Sequence, residues 1–300
     1  MSYMALYRKW RPVSFEDVKG QDPVVQTLKN QITSDRIGHA YLFCGTRGTG
    51  KTSIAKIYAR AVNCEHPIDG SPCNQCASCR AILEGSSMNV VEIDAASNNG
   101  VENIRDIREQ VQYPPTEGKY RVYIIDEVHM MSTGAFNALL KTIEEPPAHV
   151  IFIFATTEPH KVLPTIISRC QRFDFNKVSA KDMIERIHYV LDHEQITMEE
   201  DAIRIIAALA DGGMRDALSI LDQCIAYAQN NITVQDVNMI YGITTPEEKG
   251  HLIELVLQHD CLGLLEQIES LNEKGTDIKR LTSDLIDLLK ESIIYSYTSN

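Results

Sequence analysis

Short apolar runs alternate with amphipathic stretches through the first half of the chain. Ala40–Cys44 (AYLFC), Val90–Ile93, Arg121–Asp126 (RVYIID) and His149–Ala155 (HVIFIFA) carry almost no internal polar alternation. Runs of this length and composition predict strands covered on both faces, as in a parallel sheet. Phe173–Phe175 is a fifth candidate strand. Between the runs, Val101–Gln110 and Ala135–Ile143 have helical spacing, and a helix opens near Thr52. Pro114–Pro115 and Pro146–Pro147 stand where helices should stop. Strands alternating with helices predict an α/β fold with helices on both faces of the sheet. After Val178 the pattern changes. Met183, Ile184, Ile187, Val190 and Leu191 recur at helical period, as do Ile203, Ile206, Ala207 and Ala210, then Ala217, Leu218, Leu221 and Ile225. The expected organisation is an α/β domain over 1–178, a small all-helical domain over 179–243, and a helical segment over 244–300. That last segment carries Leu252, Leu255, Val256, Leu264, Leu265, Ile268 and Leu271, which bury little area by themselves, so it is expected to be incomplete or to pair with a partner.

Of the 300 residues, 44% are apolar, enough for a sizeable core. The net charge of −12 excludes a chain that coats nucleic acid with its whole surface. From Thr244 to Asn300 there are eleven Asp/Glu against five Lys/Arg, half of the net charge, whereas Arg8, Lys9 and Arg11 cluster near the start. Any contact with DNA is therefore expected to be local. The N-terminus has no long apolar run, and the longest purely apolar stretch, Val150–Ala155, is too short for a bilayer. These features predict a soluble cytoplasmic protein, in which the eight cysteines are thiols or metal ligands rather than disulfides.

Candidate chemistry begins after the first strand. Gly45-Thr46-Arg47-Gly48-Thr49-Gly50-Lys51-Thr52 fits the phosphate-loop pattern between a strand and a helix, with Ser53 next on the helix. The glycines let backbone N–H groups turn around a phosphate, and the helix presents its positive end. Lys51 is expected to reach the β- and γ-phosphates of ATP, and Thr52 to ligate Mg²⁺. Asp126 and Glu127 end the third strand beside that loop. Asp126 is the candidate second Mg²⁺ partner, and Glu127 the candidate group that orients or deprotonates the attacking water. Thr157, at the end of the fourth strand, can donate toward the γ-phosphate if that strand adjoins the first; as a strand-end threonine it is equally a structural residue.

Cys64, Cys73, Cys76 and Cys79 follow C-x₈-C-x₂-C-x₂-C spacing. Four thiolates at this spacing suit a structural tetrahedral Zn²⁺ with no open position, which would tie down the polar, turn-rich loop Asp69-Gly70-Ser71-Pro72. The rival reading is a set of free or redox-active thiols. Cys44, Cys170, Cys224 and Cys261 stand alone and are expected to be buried as small apolar residues.

The succession of Tyr7-Arg8-Lys9-Trp10-Arg11-Pro12, the phosphate loop, Asp126-Glu127-Val128-His129, Ser168-Arg169-Cys170 and Gly213-Met214-Arg215-Asp216 resembles the gamma/tau family of bacterial DNA polymerase III. The likeness runs from Tyr3 to at least Gly242. It implies an AAA+ P-loop ATPase domain with a zinc module at 64–79, a helical lid, and the start of a helical collar. It further implies a hetero-oligomeric ring of clamp-loader subunits in which ATP binding and hydrolysis drive a sliding clamp onto primed DNA. In that ring Arg169 would be an arginine finger acting on the neighbour's ATP, and Arg215 a sensor of the γ-phosphate of the subunit's own ATP. Tyr7, Arg8, Arg11, Pro12 and Val18 would contact adenine and ribose. The polar turn 95–100 and the helix bearing Arg105 and Arg108 would follow primer-template DNA through its backbone, weakly and without sequence preference. Taken alone, each arginine is also an ordinary surface cation, and that helix, with Glu102, Asp106 and Glu109, also an ordinary solvated one. The alternatives are a related AAA+ helicase or recombination motor, a non-hydrolysing ring member, and a small-molecule P-loop kinase. Ser168-Arg169-Cys170 and the cysteine cluster disfavour the first, and the intact Lys51, Thr52, Asp126 and Glu127 the second; the third needs an acceptor pocket and an Arg-bearing lid, neither of which Ser168-Arg169-Cys170 and the helical domain suggest.

Overall fold

The computed structural model describes residues 3–298 apart from 99, 229, 230 and 274, and apart from the side chain of Asn103. Five strands, β1 (Ala40–Cys44), β2 (Val90–Asp94), β3 (Arg121–Asp126), β4 (Val150–Thr156) and β5 (Gln171–Asp174), form one parallel sheet in the order β2-β3-β4-β1-β5. The helices of this part are α1 (Leu6–Lys9), α2 (Asp22–Thr33), α3 (Lys51–Val62), α4 (Ala77–Glu84), α5 (Val101–Gln110), α6 (Thr133–Glu144) and α7 (Pro164–Ile167). They are followed by α8 (Ala180–Glu194), α9 (Glu200–Leu209), α10 (Met214–Ala228), α11 (Val234–Tyr241), α12 (Pro246–Leu257), α13 (Cys261–Glu273) and α14 (Ile278–Thr298).

The sheet is covered on both faces, and β1 shows how. Ala40, Leu42 and Cys44 join one apolar cluster with Ile104 and Ile107 of α5 and Phe136 and Leu139 of α6. Tyr41 and Phe43 point the other way, into a cluster with Leu28 of α2 and Ile54, Ile57 and Tyr58 of α3. Successive side chains of a strand leave opposite faces, so a strand with helices on both sides must be apolar at every position. Tyr41 and Tyr58 bury their hydroxyls by sharing a hydrogen bond of 2.6 Å. Strand β4 lies between β3 and β1, so the phosphate-loop strand adjoins β4 and not β3.

The chain divides into two compact units, Met1–Val190 with Ala207–Ile220, and Leu191–Ile206 with Leu221–Asn300. The second contains something the helical reading of this region did not include. A short parallel pair, β6 (Thr197–Met198) and β7 (Asn231–Ile232), joins two of its connections. Two-residue strands carry no periodicity for a sequence to display. Helices α11 and α12 start with reciprocal caps, Thr233 with Asp236 and Thr245 with Glu248, and Pro246 takes the first helical position, where no N–H is required. Leu252, Leu271 and Leu281 form a small core of their own. Ile286, Leu289, Ile293, Ile294, Tyr295 and Tyr297 of α14 are exposed. Among the described residues, no helix is long and apolar enough to cross a membrane.

Candidate functional site

The phosphate loop leaves β1 and enters α3 through backbone shapes that only glycine takes easily. Gly48 has φ +78° and Gly50 φ +99°, the latter as the residue preceding α3. At Gly45 a side chain would meet the Phe175 carbonyl oxygen at 2.7 Å. Lys51 opens α3, is 6% exposed, and donates from Nζ to the carbonyls of Gly45 (2.8 Å) and Thr46 (2.9 Å). Burial lowers its pKa, against the opposing pull of Glu127 and Asp126. Thr52 donates from Oγ1 to Asp126 Oδ2 at 2.6 Å, which brings the ends of β1 and β3 together across the intervening β4.

Glu127 follows in a left-handed backbone conformation (φ +46°, ψ +45°), a strained state for a residue with a side chain and one that clusters at functional sites. Its Oε2 accepts from Thr157 Oγ1 (3.0 Å) and Thr157 N (3.3 Å), and His129 Nδ1 lies 3.4 Å away. His129 Nδ1 also shares a hydrogen bond of 3.0 Å with Thr156 Oγ1. Strand β4 pairs with β1, so Thr157 follows the strand that adjoins the phosphate-loop strand, and its hydroxyl donates to Glu127.

A cavity of about 650 Å³ opens over these residues. Arg47, Gly48, Thr49, Gly50, Lys51, Thr52, Ser53, Asp126 and Glu127 line one side of it, and Tyr7, Arg8, Arg11, Pro12 and Val18 another. Arg215 lines it from α10, with its guanidinium 4.8 Å from the centre of the Tyr7 ring. Hydrogen bonds from Arg8 first, and then Arg215, hold the Tyr7 hydroxyl pKa below its ordinary value. Arg11 Nε donates to Ser53 Oγ at 3.1 Å, tying the N-terminal segment to α3. Gly45, Thr46 and Thr157 stand behind this lining rather than in it.

The loop also bonds to the turn before α10. Met214 N donates to the Gly48 carbonyl (3.0 Å), and a Cβ on Gly48 would lie 2.9 Å from Gly213 Cα. Sequence reading quoted His129 only as the last residue of a motif, with no role of its own, and did not single out Arg186 or Gln21. Arg186 lines the cavity and donates to the Trp10 carbonyl at 2.9 Å. Gln21, 1% exposed, donates to the carbonyls of Thr49 (3.4 Å) and Asn176 (2.7 Å). Arg169 is not on the cavity. It follows α7 and pairs with Glu144 at 2.7 Å, and it donates to the Thr165 carbonyl at 2.8 Å. On α5, Ile104 and Ile107 are buried while Arg105 and Arg108 face solvent; Asn99 of the preceding turn lies outside the described residues.

The sulfurs of Cys64, Cys73, Cys76 and Cys79 all lie within 4.8 Å of one another. Backbone N–H groups point at them: Cys73 N at Cys64 Sγ (3.3 Å), Cys76 N at Cys73 Sγ (3.3 Å), and Cys79 N at Cys76 Sγ (3.4 Å). Donors of this kind stabilise thiolate, and the Gln75 amide foremost draws the Cys73 pKa down to about 6, whereas burial pushes Cys64 and Cys79 up. Four converging sulfurs with amide donors fit a tetrahedral thiolate-bound metal. Of the isolated cysteines, Cys44 and Cys224 are buried as expected. Cys170 is only half-buried and Cys261, at the start of α13, is exposed, because neither has a neighbouring element covering it fully.

Two family models match the chain. "DNA polymerase III, delta subunit" covers residues 20–179, and "DNA polymerase III clamp loader subunit, ATPase lid domain" covers residues 183–230. DNA polymerase III subunit tau of Bacillus subtilis is 52% identical over 98% of this chain and 52% of its own length. The Escherichia coli subunit tau is 42% identical over 96% of the chain and 45% of its length. DNA polymerase III subunit gamma of Buchnera aphidicola is 38% identical over 96% of the chain and 80% of its length. The chain thus spans about half the length of the tau relatives. Among solved structures, the RuvB Holliday junction branch migration motor of Thermotoga maritima aligns with a TM-score of 0.58 over 89% of this chain and 86% of its own, at 18% identity. That likeness concerns the AAA+ fold alone.

Proposed function

The chain belongs to the gamma/tau family of DNA polymerase III subunits, and from that membership we propose that it is an ATP-hydrolysing motor subunit of a clamp loader. The observation that carries the proposal is the convergence of a buried lysine, a Thr52–Asp126 pair 2.6 Å apart and a carboxylate held behind them, all at one end of a parallel sheet. ATP would lie in the cavity with its phosphates on the loop and its base toward Tyr7, Arg8, Arg11, Pro12 and Val18. Lys51 and the N-terminal end of α3 supply fixed positive charge for the β- and γ-phosphates. Thr52 and Asp126 offer hard oxygen donors of the kind Mg²⁺ prefers, and that ion would neutralise phosphate oxygens there. Glu127 takes the part of the group that orients the attacking water, and Thr157 and His129 fix its carboxylate until it turns toward the nucleotide. Arg215, on the cavity wall, is suited to sensing the γ-phosphate.

Arg169 stands away from its own cavity, as a residue serving a neighbouring subunit should. The exposed apolar side chains of α14 suit burial against other subunits of a ring. Zn²⁺ would be held by Cys64, Cys73, Cys76 and Cys79, purely as a structural ion. Loading of a sliding clamp onto primer-template DNA, with weak backbone contacts from Arg105 and Arg108, completes the reading.

Two substitutions test it in the reconstituted complex. Lys51→Ala should abolish both Mg-ATP binding and turnover. Arg169→Ala should keep binding and lose turnover by roughly 10³- to 10⁵-fold. Unimpaired binding and turnover in Lys51→Ala refutes the nucleotide site; unchanged turnover in Arg169→Ala removes the finger.

A further inference from the structure

The cysteine module lies behind the N-terminal wall of the cavity, and the two are joined through residues that belong to neither. The Val13 carbonyl accepts from Asn74 Nδ2 at 3.0 Å, inside the Cys73–Cys76 turn, and from Arg60 Nη2 of α3 at 2.7 Å. The Val13 N–H is tied as well, to Asp17 Oδ2 at 3.1 Å, and Asp17 itself lines the cavity. Val13 therefore follows directly on Arg11 and Pro12 with both backbone groups fixed.

Three residues on, Glu16 accepts from Ser71 Oγ at 2.7 and 3.0 Å and from Lys29 Nζ at 2.9 Å. Ser71 is 6% exposed and sits in the loop between Cys64 and Cys73. Asp69 (φ +47°) and Gly70 (φ +77°) make that loop a tight left-handed turn closed by paired Ile68 and Ser71 backbone bonds. The turn is pressed against α2, where a Cβ on Gly70 would lie 2.7 Å from the Lys29 carbonyl oxygen. The module thus grips the cavity's N-terminal segment at two places, Val13 and Glu16, which bracket the stretch between Pro12 and Asp17.

The loop 65–78 has no apolar core of its own beyond these contacts; its exposed residues include Ile68 and Gln75. Besides these contacts, the four cysteine sulfurs converge to within 4.8 Å of one another. From these contacts we infer that the module is a positioning device for the nucleotide site, so that metal held by Cys64, Cys73, Cys76 and Cys79 and nucleotide held by Tyr7–Val18 strengthen each other through Asn74–Val13 and Ser71–Glu16. The inference rests on the nucleotide reading above. Linkage makes the coupling reciprocal: whatever factor zinc adds to nucleotide affinity, nucleotide adds to zinc affinity.

The test uses the full chain and fluorescent Mg-ATP-analogue titrations, with zinc content measured on each sample. Asn74 has φ +56°, so Asn74→Gly removes its amide without adding backbone strain, and Ser71→Ala removes the hydroxyl. Each lost hydrogen bond should weaken nucleotide binding by about 3- to 10-fold with about one zinc per chain retained, and the double variant more than either. Glu16→Ala, outside the module, should repeat the Ser71→Ala loss and guards against a variant that fails to hold zinc. In the unaltered protein, a zinc-selective chelator should lower nucleotide affinity, and saturating Mg-ATP should raise the chelator concentration needed by the same factor. Wild-type nucleotide affinity in the double variant and in Glu16→Ala, or chelator sensitivity indifferent to Mg-ATP, overturns the coupling. Unaltered binding by Lys51→Ala in the same titration would instead overturn the nucleotide site itself, so the two failures are told apart.

Discussion

Gly48 and Gly85 offer a paired measurement of how firmly the phosphate loop is locked to the start of α10. Both have nearly the same left-handed backbone, φ +78° and φ +73°. A Cβ on Gly85 meets nothing within 4 Å, so Gly85→Ala carries only the conformational penalty, about 1 kcal/mol. A Cβ on Gly48 would lie 2.9 Å from Gly213 Cα, a backbone atom that cannot rotate away. Restoring an ordinary contact of 3.4 Å moves the turn about half an ångström from the loop and stretches the 3.0 Å bond from Met214 N to the Gly48 carbonyl. Losing that bond adds about 0.5–1.5 kcal/mol. With residual strain, Gly48→Ala should cost about 2–3 kcal/mol, a further 1–2 kcal/mol beyond Gly85→Ala. At about 2–4 °C per kcal/mol for a unit of this size, the two melting temperatures should differ by about 2–8 °C. The assay is thermal unfolding of both variants side by side, with Mg-ATP titration of each. Affinity should fall for Gly48→Ala alone, because only there does the wall bearing Arg215 shift. Equal losses of stability, or equal nucleotide affinities, would refute the claim that Gly48 and Gly213 are in contact.

Two further outcomes follow from the site. Glu127→Gln should lower phosphate release by about 10²- to 10⁴-fold with Mg-ATP affinity unchanged, since the amide keeps the shape but cannot take up a proton; a parallel loss of affinity would mean the carboxylate serves binding instead. Glu16 feels burial pushing its pKa up, but Lys29 and Ser71 outweigh this and bring it from 4.5 down to about 2. A depressed carboxylate stabilises the fold above its unfolded pKa and stops doing so as pH falls through its folded one. The melting-temperature advantage of the wild type over Glu16→Gln should therefore be full above about pH 4.5 and vanish toward pH 2, kept small by solvent screening; a gap constant across that range would disprove the linkage.

What the sequence displayed follows from which contacts are local. Strands β1, β3 and β4 were legible because helices on both faces demand an unbroken apolar run, and the phosphate loop because all its functional atoms sit in eight consecutive residues. Strand β5 was barely visible, since three of its four residues are exposed and only Phe173 enters the core. Arg186 and Gln21 left no signal of their own, because each acquires its role from residues 28 to 176 positions away. The Thr52–Asp126 link is an intermediate case: each partner was marked by its own motif, but their contact crosses a strand that neither motif mentions. Arg169 is the opposite limit. Within one chain it is a half-exposed arginine paired with Glu144, and the proposed role on a neighbour's phosphate would have no geometry inside the subunit that carries it. The cysteine cluster combines both kinds of information. Its ligand spacing is local and so was readable, but the partners that give the module a reason to be rigid, Val13 and Glu16, lie 61 and 55 residues from Asn74 and Ser71 and come into view only when the chain is folded.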